Sequence, residues 1–63
     1  MNDSKLREVL WVDHENLIKK KNYLQGLNLI RSVSEEERRK NEKEIKRLEK
    51  EIKRVENEII NLN

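Results

Sequence analysis

Residues 44–63 read EIKRLEK EIKRVEN EIINLN, a seven-residue unit that is repeated almost three times. Two positions of each unit, a and d, are always apolar, and their alternating spacing of three and four residues places them on one narrow stripe of an α-helix. Position a holds Ile45, Ile52 and Ile59, and position d holds Leu48, Val55 and Leu62. This pattern predicts a coiled-coil-like helix that buries one stripe and exposes the remainder.

The four residues SEEE at 34–37 mark the beginning of this helix. Ser34 is suited to the N-cap position, and Glu37, three residues later, completes a capping box. Three carboxylates also lie at the positive end of the helix dipole, which stabilises them there. We therefore predict that the helix spans about residues 35–62.

A first helix is predicted over about residues 4–25, where helix-forming residues dominate. Leu10, Leu17 and Leu24 recur every seven residues and form an apolar stripe on it. Gly26 follows, and a glycine just after a helix commonly adopts the left-handed conformation that ends the helix. Residues 26–34 are therefore expected to connect the two helices.

Glutamate occupies every position e and g beside the seam of the second helix from residue 42 onward, namely Glu42, Glu44, Glu49, Glu51, Glu56 and Glu58. Two such helices in parallel would set glutamate against glutamate, so the seam favours a partner helix with basic flanks. The first helix has basic side chains at its own position e, and e faces e in an antiparallel pair. We therefore predict an antiparallel helical hairpin. The expected contacts are Arg7–Glu56, His14–Glu49 and Lys21–Glu42.

A single continuous helix is the alternative architecture, because the seven-residue register continues without a shift from Leu10 to Leu62. Gly26, the capping box and the lack of an apolar seam between residues 28 and 41 favour the hairpin.

The composition excludes several classes of protein. The 63 residues include no cysteine, and the longest apolar run is four residues, too short for a transmembrane helix or for the apolar core of a signal peptide. We therefore expect one all-α domain over residues 1–63 and a cytoplasmic location. A chain of this length without a disulfide or a metal usually needs self-association to be stable.

Apolar residues lie on more than one side of the first helix, so one neighbouring helix cannot cover them all. Such a patch on a small protein usually marks an interaction site. We expect two hairpins to bury it as a homodimeric four-helix bundle, with a foreign protein as the alternative occupant. The residues predicted to contact the second copy or the partner are Leu6, Val9, Leu10, Trp11, Leu17, Ile18, Leu24, Ile45, Leu48, Ile52, Val55 and Ile59.

These features predict a non-enzymatic protein–protein interaction module, such as an adaptor, an assembly factor or a small inhibitor, with no cofactor. One histidine is too few for a zinc site, and serines occur only at predicted caps or in the connection. His14 followed by Glu15 leaves a remote alternative, a histidine phosphotransfer intermediate. The simpler interpretation is that His14 lies at the edge of the core near a glutamate of the second helix.

A small basic nucleic-acid-binding regulator is the alternative function. Lysines and arginines line the outer side of the second helix, where they could contact phosphates. The candidate contacts are Lys46, Arg47, Lys50, Lys53 and Arg54. Glutamates four residues before two of these cations, Glu42 before Lys46 and Glu49 before Lys53, favour a solvated, salt-bridged surface instead.

Overall fold

The computed structural model describes residues 3–62 of the chain, and the side chains of residues 4–62. In this part the chain forms two α-helices, α1 (Asp3–Asn28) and α2 (Glu35–Asn61), which pack against each other, and the molecule is 48 Å long. Arg7 contacts Leu62 near one end of the pair and Asn28 contacts Asn41 at the other, so the helices are antiparallel. The predicted all-α helical hairpin is confirmed, and the continuous helix is wrong.

The start of α2 follows the sequence prediction. Ser34 has an extended backbone, and its hydroxyl oxygen accepts a hydrogen bond from the backbone N–H of Glu37 at 3.2 Å. This bond satisfies one of the N–H groups that a helix start leaves without an intrahelical partner. Helix α2 ends at Asn61, and the N–H of Leu62 bonds to the carbonyls of the last turn.

The predicted end of α1 at Gly26 is wrong. Gly26 lies inside the helix without a positive φ, and α1 continues to Asn28, so the connection is residues 29–34. The amide of Asn28 donates to the carbonyl oxygen of Arg38 at 3.3 Å and accepts from Asn41 at 2.9 Å. These bonds hold the last turn of α1 against α2 and offset the roughly 1 kcal/mol that an internal glycine costs a helix.

The core between the helices is small. Leu48 is fully buried, and Leu10, Val55 and Ile59 form a buried cluster against which Leu17 and Leu62 pack. The remaining seam positions, Leu24, Ile45 and Ile52, are half-buried. The a and d stripe predicted for α2 is therefore the face that packs against α1.

The register of the hairpin differs from the prediction by one heptad. His14 bonds to Glu56 at 2.9 Å and Lys21 to Glu49 at 3.3 Å, whereas the sequence predicted Glu49 and Glu42 for them. The reason is the length of α1: its last residue, Asn28, lies level with Asn41. The first six residues of α2 consequently project about 9 Å beyond α1, and the connection spans that distance.

We predict that Gly26→Ala raises the free energy of unfolding by about 0.5–1 kcal/mol, because alanine loses less backbone entropy in a helix than glycine. Nothing lies within 4 Å of a Cβ placed there, so no clash opposes the gain. Chemical denaturation followed by circular dichroism measures it. D-alanine at the same position is the matched control and should destabilise; if D-alanine stabilises more than L-alanine, Gly26 is left-handed and the structure is contradicted.

The register gives a second prediction. Lys21→Glu and Glu49→Lys should each lower stability, and the double swap should restore about 0.2–1 kcal/mol of coupling, as expected for a partly exposed ion pair. Denaturation of the four proteins measures this coupling. The control is Lys21→Glu with Glu42→Lys, which should show none. Coupling between positions 21 and 42 instead would support the register expected from the sequence.

Candidate interaction surface

The face that α1 turns toward α2 is only partly apolar. Leucines alternate along it with a row of polar side chains, and both sets recur every seven residues. The leucines are Leu10, Leu17 and Leu24, and the polar row is Arg7, His14, Lys21 and Asn28. Each polar side chain bonds to α2 or to its end; Nη2 of Arg7 lies 3.5 Å from the carbonyl oxygen of Leu62.

His14 connects the two helices. Its side chain is 13% exposed, and its Nε2 lies 2.9 Å from a carboxylate oxygen of Glu56. The indole of Trp11 stands edge-on to the imidazole, with ring centroids 5.4 Å apart and an interplanar angle of 81°. The predicted position of His14, at the edge of the core near a glutamate, is confirmed.

Trp11 belongs to an exposed apolar area on the N-terminal half of α1. Val9, Trp11 and Val12 are each more than half exposed, and Ile18 is half-buried beside them. Trp11, Val12 and Ile18 line one shallow depression, and Val9 and Val12 line the next. Trp11, Val12 and Ile18 therefore form one apolar surface, whereas Val9 is two residues from Trp11 and points about 160° away from it around the helix.

Helix α2 contributes Ile60 to the same side of the hairpin. On α1, Trp11 lies one helical turn before His14. On α2, Ile60 lies one helical turn after Glu56, the residue that His14 contacts. Because the helices are antiparallel, Trp11 and Ile60 lie in the same direction from that contact. Ile60 is 64% exposed. We call Trp11, Val12, Ile18 and Ile60 the Trp11 surface.

Charged side chains of both signs border the Trp11 surface. Lys5, Glu8, Glu15 and Lys19 line the two depressions together with the apolar residues. Glu15 and Lys19 form an ion pair at 3.3 Å, one turn apart. An apolar centre with a mixed-charge rim is the usual anatomy of a protein–protein interface.

The predicted contact residues separate into two groups. Leu10, Leu17, Leu24, Ile45, Leu48, Ile52, Val55 and Ile59 are buried or half-buried in the seam of the hairpin. Leu6, Val9, Trp11 and Ile18 keep substantial exposure and are available for a further contact. Val12 and Ile60 were not among the candidates. Val12 lies three residues after Val9 and Ile60 stands outside the seam of α2, so helical spacing was the signal that could have identified both.

On α2, arginine and lysine differ in what they contact. Arg47 bonds to Glu44, while Arg54 bonds to Glu51 at 2.8 Å and to Glu58 at 2.9 Å. The hydrogen bond from Arg47 lowers the pKa of Glu44, and the one from Arg54 lowers the pKa of Glu51. Two of the five predicted nucleic-acid contacts are thus engaged with carboxylates.

Between residues 3 and 62, neither helix combines the length and the apolar character needed to cross a membrane. Comparison of the chain with protein-family models, curated proteins and solved structures finds no match.

The lowered pKa values of Glu44 and Glu51 predict how the stability of the fold changes on acidification. Because Glu44 and Glu51 bind protons less readily in the folded state, the stability they contribute is present at neutral pH and is lost as the pH falls through their folded-state pKa values. Arg47→Gln with Arg54→Gln should therefore lose less stability on acidification than the parent, measured by denaturation at several pH values. Lys43→Gln with Lys50→Gln removes the same charge from the same helix and should keep the parent's pH dependence. Identical pH dependence of all three proteins would contradict the prediction.

Proposed function

We propose that this chain is a non-enzymatic interaction module that acts through the Trp11 surface, and that a second copy of the chain occupies this surface. The observation that carries the proposal is the exposure of Trp11 and Val12 on a helix that packs against α2 through another side. Contiguous apolar surface on a small protein marks a site of association. Tryptophan in particular is enriched among the residues that contribute most to binding.

The size of the core favours a second copy as the occupant. Within the described part of the chain, four apolar side chains are buried, and no disulfide stabilises the hairpin because the sequence has no cysteine. Small domains of this kind commonly gain their missing apolar burial from self-association. The mixed charges of the rim also suit a two-fold interface, in which one surface meets itself and a rim of one sign would repel.

The dimensions of the hairpin are compatible with such a dimer. Its Cα trace measures 48 × 14 × 13 Å, so one long side with its side chains offers about the 800 Å² that each partner buries in a standard interface. Trp11 of α1 and Ile60 of α2 lie on the same long side, so a second hairpin placed there would contact both helices. Four helices packed in this way form a four-helix bundle.

The contacts of His14 support a non-enzymatic role. Its Nε2 is bonded to Glu56 and its ring is largely covered, so the one histidine contributes to joining the helices. A dimer of this kind would serve as an adaptor, an assembly factor or a small inhibitor that presents its outer helix faces. The cytoplasm remains the expected compartment, on the grounds given by the sequence.

Sedimentation equilibrium at micromolar concentration tests the proposal. The parent should have twice the 7.7 kDa mass of one chain. Trp11→Ser with Val12→Ser should shift the equilibrium to monomer and lower the thermal stability, because it removes apolar area from the interface without touching the seam.

Leu29→Ser is the matched control, since Leu29 is 85% exposed but lies in the connection, away from the Trp11 surface. It should leave the dimer intact. A parent that sediments as a stably folded monomer, with the fluorescence of a water-exposed Trp11, would overturn the proposal. Equal weakening by the control would overturn the assignment of the surface.

A further inference from the structure

A row of four lysines runs along the side of α2 that faces away from α1. Lys43, Lys46, Lys50 and Lys53 are spaced by three or four residues, so they are neighbours on one helix face, and all four are exposed. The row is about 15 Å long at 1.5 Å per residue. We call these four residues the basic ridge.

The hairpin leaves the charge of the basic ridge without local compensation. In residues 4–62, no carboxylate pairs with any of its lysines. Most of the nearby glutamates are engaged elsewhere: Glu49 with Lys21, Glu56 with His14, and Glu44, Glu51 and Glu58 with the two arginines. Glu42, four residues before Lys46, forms no ion pair with it. The intrahelical pair expected between Glu49 and Lys53 is replaced by a contact to α1. Folding therefore moves negative charge toward the seam and its flanks and leaves positive charge outside.

We propose that the basic ridge binds the phosphodiester backbone of a double-stranded nucleic acid. Lysine presents a compact charge on a flexible stem, which suits contact with phosphate without base reading. Duplex DNA carries about one negative charge per 1.7 Å of its axis, so a straight row of about 15 Å meets several phosphates at once. The Trp11 surface lies mainly on the other helix and adjoins the basic ridge where Ile60 follows Lys53 by seven residues.

Two features of the basic ridge favour a duplex over single-stranded nucleic acid and over a membrane surface as its ligand. Both aromatic residues of the chain, Trp11 and Tyr23, are on α1, so the ridge has no ring on which single-stranded bases could stack. The ridge also has no apolar side chain between its lysines on the same face, whereas an interfacial helix buries apolar residues beside its basic ones when it binds a membrane.

Fluorescence anisotropy with a labelled duplex DNA of mixed sequence tests the proposal at several salt concentrations. The parent should bind with a Kd of about 10⁻⁴–10⁻⁶ M, and four neutralised phosphates should give a slope of about −3 to −4 for log K against log[salt]. The variant Lys43→Gln, Lys46→Gln, Lys50→Gln, Lys53→Gln should lose at least about tenfold in affinity and most of the slope.

The matched control removes two charges from residues outside the ridge and outside the border of the Trp11 surface, as Lys20→Gln with Arg31→Gln, and it is compared with the two-charge ridge variant Lys50→Gln with Lys53→Gln. The control protein should bind almost like the parent. Equal loss in both variants would show that only net charge matters and would overturn the assignment of the ridge. A parent that does not bind duplex at about 50 mM salt would overturn the proposal itself.

Anionic lipid vesicles and single-stranded DNA complete the test. Tighter, ridge-dependent binding to phosphatidylserine vesicles would replace the nucleic acid with a membrane surface, and a preference for the single strand would contradict the duplex. Sedimentation of the same variants keeps the two proposals apart, because the glutamine variant should remain a dimer while it loses DNA. Two half-variants, Lys43→Gln with Lys46→Gln and Lys50→Gln with Lys53→Gln, give the same comparison if the full variant is poorly folded.

Discussion

The polar contacts between α1 and α2 determine the register on which every surface of the hairpin depends. Leucines that recur every seven residues pack almost equally well after a shift of one heptad, so they do not select a register by themselves. The amide pair of Asn28 and Asn41 occurs once along the helices and satisfies both half-buried side chains in one alignment only. A shifted hairpin would leave these amides without partners, which costs more than the bond contributes.

This register also sorts the charges of the chain. His14 and Lys21 in the seam of α1 bond to glutamates on one flank of α2, and Arg47 and Arg54 occupy the glutamates on the other flank. The lysines of α2 are then the charges that face outward. A formal net charge of +2 therefore conceals an acidic region beside the seam and a positive surface opposite to it.

The sequence predicts the features that depend on local chemistry. The seam of α2 and its start at Ser34 follow from heptad spacing and capping, and the kind of partner for His14 and Lys21 follows from charge. The end of α1 could not be predicted in the same way. Gly26 is a local signal for the end of a helix, but it is outweighed by the hydrogen bonds that Asn28, two residues later, makes to α2. The error in the register has the same origin, since a heptad pattern of charges is equally satisfied by the next glutamate along α2.

The two proposed surfaces adjoin on α2, because Lys46, Lys53 and Ile60 recur every seven residues and share one stripe, whereas Lys43 and Lys50 lie on the outermost side of the helix. A second hairpin that covers Trp11 and Ile60 would leave Lys43 and Lys50 of each copy on the outside of the four-helix bundle and would place Lys46 and Lys53 at the edge of the interface. The dimer would then carry two ridges on one rigid body, and the second contact to a duplex would be intramolecular once the first had formed. Weak electrostatic contacts gain most from such pairing, because a single row of four lysines neutralises few phosphates. Self-association would therefore strengthen nucleic-acid binding without any contact of Trp11 with the nucleic acid.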